Sequence, residues 1–158
     1  MRWSHSFKLI VASLCCSLSF AANLGALKAS AASNSSYVVQ NGSQVVVTIP
    51  LSVLFDGNTN FFRPSARGLV DQLASVISSS QGSVELEAAI VKGQDTSLEG
   101  STAYSQVVEL SRILLQSGAE VSYAPLTVKS YKRNDDYGFW KGYPNEDRFV
   151  MVGFSVDL

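Results

Sequence analysis

Residues 53–77 read VLFDGNTNFFRPSARGLVDQLASVI, and this stretch decides how the rest of the chain is parsed. Val53, Leu54 and Phe55 form a short apolar run of the buried-strand type, followed at once by Asp56-Gly57-Asn58, residues that favour turns. Pro64 predicts the start of a helix, because the N–H it lacks would have no intrahelical partner there. Leu69, Val70, Leu73, Val76 and Ile77 then recur at i, i+3 and i+4, the rhythm of a helix with one core-facing stripe. Ser78-Ser79-Ser80-Gln81-Gly82 ends that pattern, so the spacing predicts a helix over 64–79.

Toward the N-terminus, the β-rich runs 37–40 and 44–49 flank Asn41-Gly42. Both turn residues tolerate positive φ, which predicts a tight hairpin. Pro50 interrupts the pairing, and Val53-Leu54-Phe55 is expected to resume it as a strand. Toward the C-terminus, residues 84–91 read as a strand, half-exposed and then buried. Residues 92–100 read as a loop. A second helix is expected over 102–117, with Tyr104, Val107, Val108, Leu114 and Leu115 on one side and Gly118 as its stop. Residues 126–131 form a further strand, 132–147 a long polar loop, and 148–156 a closing strand whose alternate residues face opposite ways. Two helices on one face of a mixed sheet, in the order βαβαββ, make an α+β two-layer sandwich. No internal repeat is visible.

The first 31 residues read as a secretory leader. Arg2 and Lys8 form a basic start, and residues 9–22 an apolar segment too short for a confident membrane span. Ala29-Ser30-Ala31 fits the small-residue cleavage pattern, with Ser19-Phe20-Ala21 as the rival site and an uncleaved anchor as the other alternative. Residues 32–43 then serve as a polar linker and the start of the hairpin, and 44–158 as the domain. Cys15, Cys16 and His5 all lie in the leader. Ala12 and Ser13 stand three positions before the two cysteines, where a lipid-attachment motif would carry leucine.

Cleavage after Ala31 leaves 127 residues with neither His nor Cys. That excludes disulfides, Cys-His and Ser-His-Asp catalysis and the usual zinc sites, and no metal or cofactor is expected. Nine basic and thirteen acidic residues remain, for a net charge near −4. Such a chain has no general attraction for nucleic acid or anionic lipid. Glu85 and Glu87 are the closest acidic pair, but strand alternation puts both on one face as a solvated edge rather than as catalytic carboxylates.

The grammar of residues 44–156 resembles the OmpA-like domain, the periplasmic module that holds peptidoglycan in Gram-negative bacteria. In that family an Asp in the loop after the second strand and an Arg in the following helix converge on the diaminopimelate of the peptide stem. The Asp meets an ammonium, and the planar fork of the Arg meets a carboxylate. Here the loop reads Val91-Lys92-Gly93-Gln94-Asp95-Thr96, so the resemblance implies Asp95 as the acid. Aligned on Tyr104, the helix places Arg112 at the family arginine; aligned on Gly118, it places Gln106 there. Asp56 and Asn58, in the loop after residue 55, are candidate secondary contacts. Tyr137, Phe139, Trp140 and Tyr143 crowd a Gly/Pro-rich loop and are candidate contacts for sugar rings or a protein partner.

The resemblance therefore implies a non-catalytic periplasmic module that attaches to peptidoglycan and serves an envelope assembly such as a secretion system. The alternative is a structural subunit of such an assembly that keeps the fold without the ligand.

Overall fold

The computed structural model describes residues 20–80, 84–91, 96–121, 127–131 and 146–156. A helix over 20–33 (α1) leads into a hairpin of β1 (Tyr37–Asn41) and β2 (Gln44–Pro50). A four-residue helix, α2 (Leu51–Leu54), follows without a break, then a loop and a 3₁₀ turn at Pro64–Ala66 that runs into α3 (Arg67–Ser78). After these come β3 (Glu85–Val91), α4 (Thr96–Gln116), β4 (Thr127–Tyr131) and β5 (Arg148–Ser155).

The five strands form one mixed sheet in the order β1-β2-β5-β3-β4. β5 is antiparallel to both β2 and β3, while β3 and β4 run parallel. The expected α+β sandwich with a mixed sheet is thus the observed architecture. One face carries the core. Val45, Val47 and Ile49 of β2, Leu86, Ala88 and Ile90 of β3, and Val150, Val152 and Phe154 of β5 point into it. Leu69, Val70, Leu73, Val76 and Ile77 of α3 meet them, as the periodicity of residues 64–79 predicts. The hairpin turn also forms as expected, with Gly42 at φ +59°.

Four expectations change. Val53-Leu54-Phe55 is not a strand: Leu51–Leu54 is helical, and only Phe55 makes an isolated bridge, to Phe62. Pro50 ends the β2 pairing, and the chain turns inward to bury Leu51, Leu54 and Phe55 together. Residues 96–100, expected in a loop, are the start of α4. Gly100 does not break that helix but brings its backbone close to Ile90 and Val128. The core stripe of α4 is Ala103, Val107, Leu110 and Leu114, whereas Tyr104, Val108 and Leu115 are about half exposed (47, 44 and 53%). The helix carries two adjacent apolar rows, and the buried one is the more complete, filling i, i+4, i+7 and i+11. Finally, the stretch expected as a polar linker begins inside a helix. Ala32 and Ser33 belong to α1, and Ser35, at φ 53°, turns the chain into β1.

α1 lies on the same core face as α3 and α4. Leu24, Leu27 and Ala31 are buried in the common core. Lys28 Nζ donates to Gln40 Oε1 of β1 at 3.2 Å. The last turn is closed by Asn34, whose side chain donates to Ser30 O at 2.8 Å, and by Ser36 N, which donates to Ala31 O at 2.8 Å. Among the described residues no helix is long and apolar enough to cross a membrane.

Candidate functional site

The loop between α2 and the 3₁₀ turn is held by hydrogen bonds of its own. Asp56 N donates to Phe61 O at 3.0 Å, and Thr59 Oγ1 donates to Asp56 O at 2.6 Å while accepting from Phe61 N at 3.2 Å. Gly57 takes φ +58°, a left-handed conformation that costs a residue with Cβ about 1–2 kcal/mol. Arg63 staples the base of the loop. Its Nε donates to Phe55 O at 2.9 Å and its Nη2 reaches Asp56 Oδ1 at 3.2 Å. Phe55 and Phe62 meet edge to face with centroids 6.1 Å apart. Phe61 is left 77% exposed.

This preformed loop docks on α4 through Gln106. Its Nε2 donates to Thr59 O at 2.7 Å and to Gly57 O at 3.1 Å. The two carbonyls fix the orientation of the amide, since a flipped group would set oxygen against oxygen. Gln106 is fully buried, and its Oε1 has no hydrogen-bond partner among the described residues. Asn60 Nδ2 donates to Ser105 Oγ at 2.7 Å, one residue along the helix. From the sheet, Arg148 Nη2 reaches Gly57 O at 3.4 Å. Between loop and helix lies an open polar notch of about 290 Å³ lined by Asn58, Asn60, Ser101, Thr102 and Ser105. A larger open depression, of about 510 Å³, is lined by Asp56, Phe61, Phe62, Arg63, Pro64 and Ser65.

The residues singled out in the sequence fall in different places. Asn58 lines the notch, and Asp56 is paired with Arg63. Arg112 is on exposed helix surface in a two-pronged pair with Glu109, Nε to Oε2 at 2.9 Å and Nη2 to Oε1. That pairing holds the Glu109 carboxyl below the ordinary carboxylate range and raises the Arg112 guanidinium. Six residues separate Arg112 from Gln106, about 240° around the helix and about 9 Å along it. Gln106, not Arg112, therefore faces the 56–60 loop. Asp95 lies outside the described residues, as do Tyr137, Phe139, Trp140 and Tyr143. The sequence reading missed Gln106 as an anchor and Arg148 as a neighbour of Gly57. A glutamine among Val107, Leu110 and Ala103 on the buried stripe is the signal for the first. Among the described residues no group of three His, Cys, Asp or Glu is placed to hold a metal.

No protein-family model matches the sequence, and no curated protein matches it. Solved structures do match. The cell wall anchor of the T6SS from Pseudomonas aeruginosa superposes with a TM-score of 0.59 at 15% identity, over 83% of this chain and 97% of that one. A MotB-like protein from Desulfovibrio vulgaris superposes with a TM-score of 0.56 at 12% identity, over 91% and 93%. The OmpA-like domain of FopA1 from Francisella tularensis superposes with a TM-score of 0.51 at 18% identity, over 78% and 80%. The sheet order, the split β2-α3-β3 unit with β5 inserted, and these superpositions agree: the fold of this chain is the OmpA-like fold.

Proposed function

We propose that this protein is a non-catalytic module of the bacterial cell envelope that attaches to the peptide stems of peptidoglycan through the notch between the 56–60 loop and the start of α4. The observation that carries the reading is the notch itself. It holds five uncharged hydrogen-bonding side chains, two on the loop and three on the helix to which the loop is tied, in a fold whose solved neighbours include a cell wall anchor. A zwitterionic amino-acid end needs one anion and one cation. Asp95 immediately precedes α4 and supplies the anion, with Asp56 and Asn58 as further contacts; Arg148, at the carbonyl of Gly57, supplies the cation that Arg112 does not. The module works in the periplasm, needs no cofactor, and joins an envelope assembly such as a secretion system, with the aromatic residues 137–143 as its protein-binding segment.

One observation favours a second reading, an assembly subunit that has kept the fold and lost the ligand. Gln106, which alignment on Gly118 would put at the family arginine, spends its amide on the protein's own loop.

Co-sedimentation with purified sacculi separates the two. The first reading expects wild type and Arg112→Ala to pellet, and folded Asp95→Ala and Arg148→Ala to stay in the supernatant. Wild type remaining in the supernatant while it still captures envelope subunits would establish the second.

A further inference from the structure

α1 presents Leu24, Leu27 and Ala31 at i, i+3 and i+7, with exposures of 6, 0 and 1%, to the common hydrophobic core. Phe20, one turn earlier, packs only partly against it. The helix is tied to β1 through Lys28 and Gln40, and its last carbonyls are capped by Asn34 and Ser36. A cut after Ala31 would remove all three core side chains and the lysine that ties the helix to Gln40 of β1. It would also leave 127 of 158 residues, about 80% of the chain, whereas the MotB-like structure superposes on 91%. That superposition extends into the segment that such a cut discards.

We infer that the leader is removed at the Ala21–Ala22 bond, ahead of the core residues of α1, and that α1 is a permanent element of the mature domain. Ser19 and Ala21 supply the small residues that a signal peptidase requires at the third and first positions before the cut. The Ala29-Ser30-Ala31 motif has the same chemistry, but its last residue is a core-facing helical side chain. The step is a hydrolysis. Water adds across the Ala21–Ala22 amide, its oxygen joins the carbonyl carbon of Ala21 to give a carboxyl group, and Ala22 keeps the nitrogen as a new α-amine. The exposed Ala22 and the half-buried Asn23 form the new end, and Leu24 is the first residue buried in the core.

The test is the N-terminus of the full chain after export from a bacterial host, read by intact mass and N-terminal sequencing of C-terminally tagged protein. It makes no use of ligand binding, so it stands or falls apart from the peptidoglycan reading. The expected first residue is Ala22. Ala21→Leu should abolish that product, whereas Ala29→Leu, at an exposed site, should leave it unchanged. A first residue at Ala32, or an unprocessed chain beginning at Met1, overturns the proposal. In a second measurement, chains beginning at Ala22 and at Ala32 are compared by hydrogen exchange. The amides of β1 should lose protection at least tenfold in the shorter chain, and equal protection in both would also overturn it.

Discussion

Replacing Gln106 by Glu tests the loop–helix junction with a change of one heavy atom. The amide nitrogen that donates to Gly57 O and Thr59 O becomes an oxygen, in a site from which water is excluded. At low pH the neutral acid keeps one O–H donor, so one of two hydrogen bonds is lost, worth about 1 kcal/mol. An ionised carboxylate would face two carbonyls with no donor at all, which drives the folded-state pKa above that of the unfolded chain. The sign follows. A group with a raised folded pKa contributes fully below its unfolded pKa, near 4.3, and loses that contribution as pH rises toward the folded value. Each pH unit across that interval costs about 1.4 kcal/mol, so the extra penalty at pH 7 approaches about 3.7 kcal/mol if the acid stays protonated to that point. The expected ΔΔG is therefore about 1 kcal/mol near pH 4 and about 4–5 kcal/mol at pH 7. It is read from urea unfolding of mutant and wild type by circular dichroism at matched pH. A mutant whose ΔΔG stays under 1 kcal/mol and does not change with pH would refute the argument, because only an open, hydrated side chain behaves that way.

Other perturbations are read from the same geometry. Leu27→Ala should cost about 3 kcal/mol in a chain that retains α1, measured by denaturant midpoint, since the side chain is fully enclosed. Gly57→Ala should cost about 1–2 kcal/mol and Gly57→Asn less, because the strain is the left-handed φ and nothing crowds the missing Cβ. Arg112→Ala should leave the melting temperature unchanged at neutral pH, because it breaks only an exposed helix pair. Its visible effect is on titration. The Glu109 carboxyl, depressed by Arg112, should return to the ordinary carboxylate range in the mutant, followed by NMR of the carboxyl carbon. Any small stability from that pair is present above the unfolded pKa and disappears as pH falls through the depressed folded value.

Where the sequence pattern carried one structural period and one partner, it was legible. The stripe of α3, the Asn41-Gly42 turn and the alternation of β5 all follow from spacing alone. Residues 51–55 did not, because a short apolar run fits a buried strand or a turn of helix equally well until its neighbours are known. Residues 104–115 misled differently: two apolar rows lie side by side, and only contact with Ile90 and its neighbours selects one of them. α1 was hidden by composition. An Ala- and Leu-rich segment behind a basic start satisfies a leader and an amphipathic helix at once. At the candidate site, Asp56-Gly57-Asn58 was visible as turn chemistry. The role of Gln106 depended on which end of α4 set the alignment, and its hydrogen bonds join residues nearly fifty positions apart.

The position of β5 has a consequence for how the molecule comes into being. Among the described strands the last in chain order lies at the middle of the sheet, with Ser155 opposite Gln44 and Gly153 opposite Glu85. Until it arrives, β2 has only β1 beside it and β3 has only β4, so the ribosome can release most of the chain without a completed sheet. Closure then joins residues more than a hundred positions apart, the kind of topology that folds in milliseconds or slower rather than microseconds. This strand order delays the native state until the segment that completes it has emerged from the ribosome.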